Sequence, residues 1–177
     1  MPLTPLHVVP AWLIWAASRG RLDFRTITVG SMLADLEVIP VYLLTRNIDD
    51  VHGILHTFWG AVLLVGILSW LVVNTFHEPL FRWAGGSLHG RWFFKIGGKY
   101  LGEERNPIAL MVLSGALGGL THSFVDILTH SSNNTFWPLI PNGYPIFLGG
   151  TESSSILITN LALLGVSIFF LRAYWQR

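Results

Sequence analysis

Long stretches of this chain carry no charge. Pro107–Thr121 and Ser154–Phe170 each run without a single Asp, Glu, Lys or Arg. Only 12% of the 177 residues are charged, against about 25% in an ordinary soluble domain. A 51% hydrophobic chain with that deficit points to a membrane. Eight Trp and 11 Phe suit interfacial belts as well as a core.

Five apolar segments can be read. The first, about Leu3–Ser18, contains Pro5 and Pro10 and would extend only ~24 Å as a helix, marginal for a ~30 Å hydrocarbon core. The second, about Ile27–Leu44, carries Asp35, Glu37 and Pro40. The third is about Gly53–Phe76, and the fourth Pro107–Thr129, with Pro107 suited to a first helical turn. The fifth is about Ser154–Tyr174, with Ser153, Ser154 and Ser155 as potential caps. The expected fold is all-α: a polytopic membrane helix bundle of about five helices, the first one short, in a single integral membrane domain over residues 1–177.

Two connections interrupt the bundle. His77–Asn106 interleaves Arg82, Arg91, Lys95, Lys99 and Arg105 with Phe81, Trp83, Trp92, Phe93, Phe94 and Tyr100. That mixture suits an interfacial segment on an anionic, cytoplasmic membrane surface. Ser131–Ser153 has no Lys or Arg and reads as an ordered loop around Trp137, Pro138, Pro141 and Pro145. A net charge of +1 gives no electrostatic reason for a nucleic-acid partner, so the expected partners are membrane lipids and a small-molecule or lipid substrate. The N-terminus lacks the basic start of a cleavable signal peptide.

Lys/Arg bias sets an orientation. With five spans, Arg19, Arg21, Arg25, the basic connection His77–Asn106, Arg172 and Arg177 share one side, and only Arg46 falls on the other. An inner-membrane protein with an extracytoplasmic N-terminus and a cytoplasmic C-terminus follows. Five of the seven histidines then gather at the outer end: His7, His52, His56, His122 and His130.

In the fourth segment His122, Asp126 and His130 repeat at four-residue spacing, one stripe of a helix if the helix lasts that long. His52 and His56 have the same spacing. Asp35 and Glu37 lie within reach, but two residues apart on an ideal helix they point in nearly opposite directions. Both can join one site only if Pro40 or local unwinding bends the segment. Any one of these histidines alone is best read as a solvated or hydrogen-bonded side chain; the joint pattern is what points to a site. Without Cys, a metal site must use imidazole and carboxylate, which suits a divalent ion, zinc first and manganese or iron next. His56, His122 and Asp126 are the leading ligand candidates, followed by His7, Asp35, His52 and His130. Glu37 is a candidate ligand or general base, and Asp35 shares the catalytic role.

Four blocks carry a family resemblance: Pro2–His7, Met32–Glu37, His52–Thr57, and Gly118–Asp126 with His130, followed by Trp137–Pro141. In order and spacing they resemble an uncharacterised family of membrane-bound metal-dependent hydrolases. Where that family usually has a Pro-Asp-x-Asp step, this chain has Ala34 and Glu37 in place of the proline and second aspartate, which keeps the acidic pair. The family invites comparison with soluble zinc-dependent phospholipase C, at the level of fold alone. The resemblance implies a membrane-embedded hydrolase that uses a metal-activated water on a phosphoester or ester of a lipid or lipid-linked substrate. The alternative class is a metal or proton transporter, or a metal-binding membrane protein without catalysis. Few polar groups continue toward the cytoplasmic side in the last three segments, which argues against a transport path.

Overall fold

In the computed structural model, residues 4–46, 53–85, 106–131, 134–140 and 145–175 are described. The protein is all-α, and no strand occurs among the described residues. A 3-10 turn, Thr4–His7, leads into α1 (Val8–Ala17). A helix of 22 residues, Phe24–Thr45, follows in three pieces: α2 (Phe24–Leu33), a 3-10 turn (Ala34–Glu37) and α3 (Val38–Thr45). After a short 3-10 turn at Ile54–His56, a π-helical turn (Gly60–Val65) opens α4 (Gly66–Gly85). The last two helices are α5 (Ile108–Thr129) and α6 (Glu152–Trp175).

Among the described residues, three helices are long and apolar enough to cross a membrane: Phe24–Thr45, Ile108–Thr129 and Glu152–Ala173. Only 17% of the third is buried inside the bundle, so most of its apolar surface needs lipid or another apolar cover. This is a membrane protein. The first segment is not a full span: α1 has 10 residues and extends about 15 Å, half the hydrocarbon thickness. It starts inside the bundle, where His7 is buried.

Other boundaries also move. The second helix starts at Phe24, because Asp23 caps it: its Oδ1 accepts from Thr26 N at 2.9 Å. Pro107 is the residue before the first turn of α5 rather than inside it. α6 starts at Glu152, and the cap is Thr151, whose Oγ1 accepts from Ser154 N at 3.2 Å. Ser155 instead donates to Leu128 O and accepts from Leu148 N, tying the start of α6 to the end of α5. α4 continues through His77 and Pro79 to Gly85, where a surface connection was expected. Residues 86–105, which hold most of that basic stretch, lie outside the described residues.

α5 is the central helix. Its Gly118 lies against the backbone of α2, at Ile27 O and Ser31 N, and its Gly119 lies against Val65 and Ala61 of the π-helical turn. Small residues at these positions let backbones approach closely, the usual basis of tight packing in membranes.

At one end of the bundle, Trp12 stacks on Phe24 and Phe170, with ring centroids 5.9 and 5.6 Å apart. This cluster puts the α1–α2 loop, with Arg19, Arg21 and Arg25, at the same end as Arg172. Asp23 fastens that end. Beyond its cap bond, it accepts from Arg25 Nη2 at 2.9 Å and Asn106 Nδ2 at 2.8 Å, and its own N–H donates to Ser114 Oγ at 2.9 Å. Burial pushes the Asp23 carboxyl up, but the bonds from Arg25, Asn106 and Thr26 more than offset this and hold it below its ordinary value. A depressed folded-state pKa stabilises the fold above the unfolded pKa of about 3.9, and that contribution is lost as pH falls through the lowered value. Asp23→Asn keeps a cap but cannot titrate. Its melting temperature should lie below wild type at pH 6, and the two should converge below about pH 4. A gap that persists unchanged at acid pH would contradict the assignment.

Candidate metal centre

The site is built on the 3-10 turn of the second helix. Three residues per turn, instead of 3.6, bring Asp35 and Glu37 closer to one side than an α-helix would. Asp35 Oδ1 reaches to 3.5 Å from His122 Nε2 on α5. Glu37 turns instead to the neighbouring turn, where its Oε2 accepts from Leu55 N at 2.8 Å and lies 3.3 Å from His56 Nδ1. The helix continues past both to Thr45, so the site lies within its length rather than at its end.

His122 is the centre of the cluster and is fully buried. The four-residue spacing holds, and its Nε2 lies 3.2 Å from Asp126 Oδ2. Its other nitrogen, Nδ1, lies 2.9 Å from the carbonyl of Ser31. A carbonyl can only accept, so Nδ1 carries the proton and, in the neutral ring, Nε2 presents a lone pair. His7 closes the cluster from the end of its 3-10 turn, with Nδ1 2.7 Å from His122 Nδ1. His56 sits in the turn before the π-helical segment, with Nε2 4.0 Å from Asp126 Oδ2. Its backbone carbonyl accepts from Ser123 Oγ at 3.2 Å, which pins the turn to α5.

The His122 stripe ends before His130. The helix stops at Thr129 and His130 is extended (φ −122°, ψ 133°), yet its Nδ1 still lies 3.4 Å from Asp126 Oδ1. The turn that carries His56 begins only at Ile54, after an extended Gly53. His52 lies outside the described residues.

Two triads offer ligand atoms all within 4.8 Å of one another: His7, His122 and Asp126, and Asp35, His56 and His122. Metal–nitrogen and metal–oxygen bonds of about 2.0–2.1 Å give a tetrahedron with edges of about 3.3 Å. The separations of 3.2 and 3.5 Å at His122 Nε2 are of that size. Among the buried polar atoms, Asp35 Oδ2, His122 Nε2 and Asp126 Oδ2 make no hydrogen bond. Such atoms are costly in an apolar interior. One proton on Nε2 could serve only one of the two facing carboxylates, whereas a divalent cation could take its ligand atoms from either triad. The residues present therefore fit a metal ion.

Sequence reasoning missed the Ser31 carbonyl and the Leu55 N–H. Both act through backbone, so no residue type signals them.

Membrane-spanning helices around a buried His/Asp cluster that can hold a metal ion define an integral membrane protein with a candidate metal centre. The chain belongs to the DUF4184 family, a domain of unknown function whose match covers residues 1–172. No curated protein and no solved structure matches it.

Proposed function

We propose that this protein is a membrane-embedded metal-dependent hydrolase acting on a phosphoester or ester of a lipid or lipid-linked substrate. The observation that carries this reading is the convergence of the Asp35 and Asp126 carboxylates, at 3.5 and 3.2 Å, on the buried His122 Nε2, which makes no hydrogen bond. A bound divalent ion, zinc by donor chemistry with manganese or iron next, would lower the pKa of a coordinated water toward neutrality and polarise a substrate oxygen.

The chain's own residues divide the remaining work. His56, His122 and Asp126 would hold the ion. The Ser31 carbonyl and Glu37 each engage a histidine Nδ1, which aims the opposite nitrogen at the centre. His7 sits against His122 and keeps water from that side of the ring. Asp35 is the more open carboxylate, 21% exposed, and takes up the proton released by the attacking water. The basic end, with Arg19, Arg21, Arg25 and Arg172, faces the cytoplasm.

Purified protein should contain divalent metal, and a chelator should abolish hydrolysis across a panel of amphiphilic phosphoesters and esters. Protein that contains no metal and rebinds none would refute the reading. Glu37→Gln should leave metal stoichiometry unchanged and weaken affinity about 10–100-fold in a competition titration with a chromophoric chelator. Unaltered affinity would remove Glu37 from that role.

A further inference from the structure

We infer that the described parts of the connection between α5 and α6, residues 134–140 and 145–150, lie in the membrane interface, with their apolar side chains in lipid, and form a roof over the His/Asp cluster. This goes beyond the hydrolase reading and does not depend on it.

Irregular connections ordinarily present polar side chains to water. Here Trp137, Leu139 and Ile146 are 50%, 76% and 58% exposed, and Phe136 and Leu148 are exposed beside them. No Lys or Arg occurs from Ser131 to Ser153, and both flanking helices are membrane spans. An exposed Trp between two spans, with no neighbouring cation, suits the interfacial belt.

The backbone is also prepared for an apolar setting. Trp137 N donates to Asn134 O, Leu139 and Ile140 N donate to Phe136 O, and Ile146 N donates to Ile127 O. A segment in contact with water has no need to satisfy its N–H groups internally; one at membrane depth does.

Two bonds hold this segment over the site. Phe58 N donates to Thr135 O at 2.7 Å, two residues beyond His56, and the Ile146–Ile127 bond is adjacent to Asp126. A roof at the interface puts the cluster next to the bilayer, so an amphiphile can approach without passing through bulk water.

The chain has no cysteine, so Leu139→Cys and Ile146→Cys can each be spin-labelled singly in the full-length protein. Power saturation in phosphatidylcholine–phosphatidylglycerol nanodiscs compares collisions with oxygen, which partitions into lipid, and with a water-soluble nickel chelate. Leu161→Cys, on the exposed face of α6, is the lipid reference. Both roof positions should give an oxygen-to-nickel ratio clearly above that of label in buffer and below that of the deeper reference. A ratio like that of label in buffer overturns the inference. Low accessibility to both reagents also overturns it, because the face is then covered by protein, such as a second copy of the chain.

Discussion

His122→Ala is expected to reduce bound divalent metal to background in elemental analysis of the purified protein. No other described residue faces both Asp35 and Asp126 within 3.5 Å through one atom, and His122 is a member of both candidate triads. The substitution also leaves two carboxylates facing a cavity and removes the donor to the Ser31 carbonyl. Breaking a buried charged contact on one side typically costs about 3–5 kcal/mol, so a large fall in thermal stability should accompany the loss. Asp126→Asn separates the two effects, since it preserves shape while weakening the ligand. It should lose metal with a smaller stability change. If His122→Ala retains the wild-type metal content, the centre lies elsewhere.

The second large effect falls on a residue with no side chain. A β-carbon on Gly118 would collide with the carbonyl oxygen of Ile27 and approach Ser31 N to 2.8 Å and Gly30 C to 3.1 Å. All three are backbone atoms of α2, so nothing nearby can change rotamer to make room. Gly118→Val must push α2 away from α5, at or above the top of the about 1–3 kcal/mol that overpacking costs. The same displacement carries the Ser31 carbonyl and Asp35 away from His122, so metal retention should fall with melting temperature. Gly165 on α6 is the control. A β-carbon there meets nothing within 4 Å, and Gly165→Ala should be neutral or stabilising by up to about 1 kcal/mol. Equal behaviour of the two variants would contradict the packing described.

The comparison of sequence and structure follows a physical division. Apolar length identified the membrane helices, because a span requires it. Four-residue periodicity placed His122 and Asp126 together, because both sit deep in a regular helix. Length rather than periodicity signalled that the first segment is marginal, a tilted span or a half-buried helix, since α1 is about equally apolar on every side. The opposed directions of Asp35 and Glu37 required a break in the α-helix, but the break is a tighter 3-10 winding rather than the expected unwinding, and nothing in Ala34–Glu37 signals it. Glu37 was a candidate for the centre itself; the structure engages its Oε2 with Leu55 N and His56. Asp23 was overlooked, although Asp followed three residues later by Thr26 at a helix start is a legible cap. Its bonds to Asn106 and Ser114 are long-range and leave no local signal.

The tighter winding at Ala34–Glu37 separates the second helix into two parts that answer to different constraints. Each residue there advances about 120° rather than about 100°, so everything after Glu37 is rotated by about 80° relative to an uninterrupted helix. α3 has no buried residue and can be lengthened, shortened or re-aimed without moving Gly30 or Ser31. A single residue inserted between Ser31 and Asp35 would instead swing both carboxylates off their histidines. Tolerance to insertion should therefore change abruptly across one turn of backbone, a boundary that a scan of single-residue insertions would locate.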